Sequence, residues 1–228
     1  MSDHTLAIEG ATYAGSVALL KGSTVIAERS LPDSAIPGKG GRKEALLPAL
    51  AECLAEGGVE PRALTRVVCG SGPGGFTSLR VAASIAKGIA NGAGIPLYAV
   101  SSLMLTVASL EDFSVARSYL SVLPAMRGEL YALLVEIDEA GNIRSAGDHA
   151  LIPESDAQRE ADISGATLLG AGSQSAERPH ARGAARILES IIEGGPVDLA
   201  AWEPIYGRLA EAQVRWESQH GRSLTAKG

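Results

Sequence analysis

The sequence predicts an α/β chain of two lobes, each built on a mixed sheet, and three observations carry that expectation. The chain opens with three short apolar runs joined by tight turns, continues as alternating helical and apolar segments, and starts a second three-run meander near residue 119. Short connections force neighbouring strands to run antiparallel, whereas a strand, a helix and a further strand in succession place the two strands parallel.

The first strands are expected at Thr5 to Glu9, Gly15 to Leu20 and Thr24 to Ser30, with turns at residues 10–14 and 21–23. A Pro- and Gly-rich loop, residues 31–41, leads to a helix near Arg42 to Glu56, where Leu46, Leu47, Leu50 and Leu54 fall at helical spacing and Gly57-Gly58 supplies the stop. A strand at Leu64 to Cys69, a glycine turn, a helix at Thr77 to Asn91, a strand at Pro96 to Val100 and a helix starting at Ser101 or Ser102 follow. This β-β-β-α-β-α-β order is that of the ribonuclease H-like half of actin, Hsp70 and sugar kinases. Tyr119 to Ala125, Leu130 to Ile137 and Ile143 to Leu151 begin it again, with turns at residues 126–129 and 139–142. The copy then degrades: a strand at Thr167 to Gly170 enters Gly170-Ala171-Gly172-Ser173, and helices are expected at Pro179 to Glu193 and Glu203 to Ser218, before a frayed end over residues 221–228. The lobes divide as residues 1–104 and 105–228, the second degenerate.

With 228 residues and 46% apolar content the chain can fill one large domain or two small lobes. Its net charge of −6 is spread without long runs, so no broad basic face for nucleic acid is expected. Cys53 and Cys69 lie in apolar surroundings and no signal peptide precedes Leu6, which points to a reducing cytoplasm. His4, His149, His180 and His220 are scattered, with no H-x-x-x-H pair, so neither a metal set nor a zinc hydrolase is expected. No apolar run approaches the roughly 20 residues needed to span a bilayer, so no membrane partner is expected.

Gly70-Ser71-Gly72-Pro73-Gly74-Gly75-Phe76-Thr77-Ser78-Leu79-Arg80 is the segment richest in chemical implication. Glycines permit positive φ and remove the Cβ atoms that hold a ligand off, and Thr77 or Ser78 can cap the following helix. Two readings stand: an anion or phosphate site, with Glu9, Thr12, Gly72, Gly74, Gly75 and Thr77 as its candidate residues, or a tight turn whose glycines serve packing. Gly70, Gly72 and Gly75 fit G-x-G-x-x-G, but the next strand, Ile95 to Ser101, lacks the carboxylate that a dinucleotide site places there, and no Walker-type G-x-x-x-x-G-K-[ST] occurs.

The run from Gly72 to Arg80, followed by Ala86-Lys87-Gly88-Ile89-Ala90, Ile95-Pro96 and Val100-Ser101-Ser102-Leu103, resembles the G-P-G-S-F-T-G-L-R…A-K-G-L-A…P…V-S-S-L of the TsaB family, also called YeaZ. Supporting pieces are Leu46-Leu47-Pro48, Arg127-Gly128-Glu129-Leu130-Tyr131 and Glu203-Pro204-Ile205-Tyr206-Gly207-Arg208, so the likeness covers most of the chain. It implies an actin-like (ASKHA) fold and a non-catalytic relative of TsaD that supports TsaD in forming tRNA N6-threonylcarbamoyladenosine.

Departures accompany the match. Where the family reads A-I-D-T-S-T, the chain has Ala7-Ile8-Glu9-Gly10-Ala11-Thr12; the histidine before L-L-P is Arg42; and the family's D-A-R is Pro124-Ala125-Met126. Each deletes a group that a catalytic site could use, and no nucleophile–base pair can be assembled, so no catalytic residue is expected. The resemblance implies a homodimer when alone, a TsaD-like partner that carries the ATP and metal, a TsaE-like ATPase, and tRNA reached indirectly. It places the partner interface on the first two helices, at Leu46, Ala49, Leu50, Leu79, Ala82, Ala83, Ala86 and Ala90; the alanine row lets another helix approach closely, unless both faces pack on the chain's own sheet. Arg178, Arg182 and Arg186 recur every fourth residue, as a stripe touching tRNA or as a solvated face paired with Glu177 and Glu189, and Trp202 and Trp216 are read as packing anchors. An ATP-dependent phosphotransferase and a glycoprotease-type peptidase remain as alternatives.

Overall fold

A run such as Leu6 to Ile8 or Val17 to Leu20, with apolar residues at successive positions, can be satisfied only by a strand buried on both faces. The computed structural model, which describes residues 3–12, 14–31, 45–111, 117–173 and 177–206, contains two such sheets. The first comprises β1 (His4–Glu9), β2 (Ser16–Lys21), β3 (Thr24–Ser30), β4 (Arg66–Gly70) and β5 (Leu97–Val100), in the order β3-β2-β1-β4-β5. β1 pairs antiparallel with β2, setting Leu6 opposite Leu19, and parallel with β4, setting Ala7 opposite Val68. This is the ribonuclease H-like arrangement.

The second sheet repeats it. Its strands are β6 (Arg117–Pro124), β7 (Glu129–Ile137), β8 (Ile143–Ser145), β9 (Ala150–Pro153) and β10 (Thr167–Gly170), ordered β10-β6-β7-β8 with β9 also on β7. β10 runs parallel to β6, as β4 does to β1, and no counterpart of β5 occurs among the described residues. The single strand expected from Ile143 to Leu151 is two, because residues 147–149 leave the ladder around Gly147, whose φ of 130° a side chain rarely adopts.

Helices α1 (Leu46–Glu56) and α2 (Phe76–Ala93) cover one face of the first sheet, with Leu6, Ile8, Val17 and Leu19 beneath them. α2 stops at Gly94, a left-handed residue whose N–H returns to Ala90 and Asn91. The opposite face, carrying Ala7, Ala18 and Leu20, shares one core with Tyr119, Leu123, Tyr131, Leu133 and Val135 of the second sheet, and α3 (Ser102–Ala108) lies in that shared core. The far face of the second sheet packs on α4 (Ala157–Ile163) through Ala157 and Ala161. α4 has no aliphatic stripe, only two small residues turned inward, so periodicity does not announce it.

The helix expected over Pro179 to Glu193 is a tight 3-10 turn at Ala181–Ala185 followed by α5 (Leu188–Glu193). A Cβ on Gly183 would press on Ser109, Leu105 and Ala108, so the turn lies closer to α3 than a continuous helix would. Residues 203–206 of the last expected helix are not helical; its remainder, Trp216 included, lies outside the described residues. The lobe boundary expected after residue 104 falls within α3, and the chain beyond Ala181 returns to the first sheet, where the Ala181 N–H donates to Ser16 Oγ at 2.9 Å.

Candidate functional site

β1 ends on Glu9 and β4 ends on Gly70, and because Ile8 pairs with Cys69 the hairpin turn after β1 meets the glycine turn after β4. Glu9 is buried and its carboxyl accepts the Ala11 N–H at 2.5 Å and the Ser102 hydroxyl at 2.9 Å. Ser102 Oγ in turn accepts the Gly72 N–H at 3.1 Å. Burial pushes the Glu9 carboxyl from the usual 4.5 up to about 7, against the opposing pull of those donors. Gly70 is required here, since a Cβ at that position would overlap the carboxyl of Glu9.

The glycine turn is closed by this chain itself. The Gly75 N–H donates to Ala11 O at 2.7 Å and the Ser71 N–H to Val100 O at 2.7 Å, while a Cβ on Gly74 would sit within 2.7 Å of Ala11 Cβ. The structure therefore brings Glu9, Gly72, Gly74 and Gly75 together, but the Gly72 and Gly75 N–H groups are spent on Ser102 Oγ and Ala11 O, and the glycines allow close backbone approach. Thr12 and Thr77 do not join them: the Thr12 hydroxyl donates to Ala14 O at 3.3 Å, and Thr77 lies exposed in the first turn of α2. Gly75, not Thr77 or Ser78, is the cap position of α2, and no side chain caps it.

The residues expected at a partner interface need correcting as a group. Leu46, Ala49, Leu50, Leu79, Ala82, Ala83, Ala86 and Ala90 are all buried within this chain; Ala82, Ala86 and Ala90 form the floor of α2 against its own sheet, and Leu79 belongs to the shared core. The row of small side chains brings α2 close to β4 rather than to another molecule. The outward face is made instead by Leu47, Pro48, Ala51 and Ala55 on α1 and by Ser84, Gly88 and Asn91 on α2. Leu47 is 55% exposed, and a Cβ on Gly88 would meet nothing within 4 Å. One signal in the sequence marks this face: glycine stands inside a helix that gains nothing from it.

Two members of the arginine stripe, Arg182 and Arg186, turn to the chain's own backbone. Arg186 donates to Ala108 O at 2.7 Å and Leu110 O at 2.9 Å, and Arg182 donates to Ser109 O at 3.2 Å, so the two cations close the C-terminus of α3, where the helix dipole favours positive charge. His180 Nδ1 accepts the Arg182 N–H at 3.0 Å, which leaves the proton on Nε2, 2.8 Å from Ser30 Oγ. Burial, reinforced by Arg182 and opposed by Glu28, lowers the pKa of that imidazole and keeps it neutral. Cys53 and Cys69 are buried and unpaired by disulfide, and desolvation raises both thiol pKa values.

A cleft of about 650 Å³ between the β2–β3 turn, the β7–β8 turn and α5 includes neither Glu9 nor the glycine turn. Among the described residues no group of three or more His, Cys, Asp or Glu side chains could hold a metal ion, and no helix is long and apolar enough to cross a membrane.

Comparison with known proteins agrees with this geometry. The family model described as TsaD, tRNA N6-adenosine threonylcarbamoyltransferase, matches residues 39–155. The chain is 32% identical over 161 residues to the tRNA threonylcarbamoyladenosine biosynthesis protein TsaB of Escherichia coli, covering 70% of this chain and 67% of that one. It is 28% identical over 237 residues to the Bacillus subtilis protein of the same name, covering 94% and 98%. Among solved structures, YeaZ from Pseudomonas aeruginosa superposes with a TM-score of 0.74 at 24% identity, over 90% of this chain and 99% of that one. The fold is thus actin-like (ASKHA) in both lobes, the second lacking its last strand among the described residues.

Proposed function

Because the chain belongs to the TsaB family of tRNA threonylcarbamoyladenosine biosynthesis proteins, we propose that it acts in that modification as a non-catalytic scaffold and activator of a TsaD-like enzyme. The observation that supports a supporting role is the crowding of the would-be phosphate site, where Glu9 accepts the Ala11 and Ser102 donors and the Gly72 and Gly75 N–H groups end on Ser102 Oγ and Ala11 O. A carboxyl group buried against two donors is poorly placed to share a metal ion, and the Gly72 and Gly75 N–H groups, ending on Ser102 Oγ and Ala11 O, are not turned to a phosphate. In this reading the ATP and metal belong to the TsaD-like partner, a TsaE-like ATPase completes the complex, tRNA is reached through it, and the setting is the cytoplasm.

The contact surface would be the outward face of α1 and α2, used for a homodimer when the chain is alone and for the partner otherwise. Leu47, Ala51 and Ser84 are exposed on that face, and open space lies above Gly88. The test is reconstitution of tRNA modification with the TsaD-like and TsaE-like proteins, using the wild-type chain and Gly88→Glu. We expect Gly88→Glu to fold, to run as a monomer, and to lower the modification rate at least roughly tenfold, as a charge left unpaired in a contact would. ATP turnover by the isolated chain would favour the phosphotransferase reading, and cleavage of a protein substrate the peptidase reading.

A further inference from the structure

Residues 196–206 form no helix or strand, yet they are tied to four separate places. The Val197 N–H donates to Leu97 O at 2.8 Å, on the outer edge of β5. Lys87 of α2 donates to Trp202 O at 2.6 Å, and its ammonium stands 5.8 Å from the centre of the Trp202 ring. The Ile205 N–H donates to Ser71 O at 2.7 Å, and Ile205 O fills the position that a side chain on Gly72 would take. The Tyr206 ring lies 4.6 Å from Phe76, and Tyr206 O accepts the Tyr131 hydroxyl at 3.3 Å, on β7 of the second sheet.

We propose that residues 196–206 are a clasp that closes over the glycine turn and ties the first sheet to the second, so that the turn is held shut by the chain rather than by a ligand. The path carries the argument: the segment starts on β5, crosses α2, covers the turn and ends on β7, and each crossing is made by a different polar or aromatic contact. Its own residues are mostly at the surface, with Ala201, Glu203 and Ile205 exposed and Pro204 buried. A segment with few buried side chains and single hydrogen bonds at each anchor opens at lower free energy than the sheets beneath it. Opening would uncover Ser71 O, Gly72, Phe76 and the Tyr131 hydroxyl together, which makes the glycine turn and the seam between the sheets respond as one unit.

Hydrogen exchange on the full chain tests this, with wild type, Trp202→Ala and Tyr131→Phe compared. Trp202 touches neither Gly72 nor Gly75, so a clasp predicts that Trp202→Ala raises exchange at Ile205, Gly72 and Gly75 by roughly tenfold, about the loss of one anchoring contact, while β6 amides from Tyr119 to Val122 keep their protection. Tyr131→Phe removes one hydroxyl and should raise exchange at Ile205 to a smaller extent. Faster exchange at Ile205 with Gly72 and Gly75 unchanged would overturn the clasp, since the segment would then move independently of the turn. Loss of protection in β6 in step with the turn would overturn it too, because the segment would be part of the global fold; and an unchanged Ile205 amide in Tyr131→Phe would remove the tie to the second sheet.

Discussion

Glu9 carries the largest consequence at the scale of single residues. Its folded-state pKa is raised from 4.5 to about 7, so between those values the folded protein holds a proton that the unfolded chain has released. Stability from this group is therefore full below about pH 4.5 and falls as pH rises to 7, by about 3 kcal/mol in all. Glu9→Gln should flatten that slope in denaturant unfolding measured from pH 5 to 8; an unchanged slope would show that the carboxyl is not the source. His180 works in the opposite sense. Its pKa is lowered, so its contribution is present above the unfolded value and is lost as pH falls through the folded one. His180→Asn keeps an acceptor for the Arg182 N–H and should lose less stability at pH 7.5 than His180→Ala, for which about 1 kcal/mol is expected from the lost cap, while both remove the acid-side loss.

At the scale of the element, α2 has two faces with opposite tolerances. Ala86 is fully buried on the floor of the helix, so Ala86→Glu would force a carboxylate into the core that α2 shares with the first sheet, and thermal unfolding should show a loss of several kcal/mol or no folded protein at all. Gly88, two positions on, faces open space, and Gly88→Glu should leave stability unchanged or raise it by up to about 1 kcal/mol, because glycine is a poor helix former. The pair separates packing from partner contact: a folded Ala86→Glu variant would move the floor of α2 to the surface. Hydrophobic periodicity marks an apolar stripe on a helix; it does not say whether a sheet of the same chain or a second molecule lies against it, which is why the alanine row could be found but not assigned.

For the molecule as a whole, the two sheets share one core. Ala7, Leu20 and Val68 from the first sheet and Tyr119, Leu133 and Val135 from the second meet there, with α3 between them. Cys69 is sealed in the first sheet and Cys53 on the inner face of α1, so burial raises both thiol pKa values and shields both from a reagent. Labelling of the native protein by a thiol reagent should be slow at both, and its rate should rise with denaturant as global unfolding does. Rapid labelling at Cys69 in native buffer would indicate a local opening between β1 and β4.

The order of the elements in the first lobe and the antiparallel and parallel directions of its strands were determined by the sequence alone, because they rest on local quantities: apolar runs, turn residues and connection lengths. The meeting of the β1 hairpin with the glycine turn follows from the pairing of β1 with β4 far along the chain. The break between β8 and β9, the short α4 and the 3-10 turn at Ala181–Ala185 were not legible, since each depends on a close approach to residues far along the chain. The same holds at the site. That glycines crowd between Ser71 and Gly75 is a property of the sequence; that Ala11 and Ser102 accept their N–H groups, that Glu9 sits on Gly70, and that Ile205 lies over Gly72 are decided by tertiary structure. A turn rich in glycine admits either a ligand or the chain's own backbone, and only the packing of segments 30 to 130 residues apart selects between them.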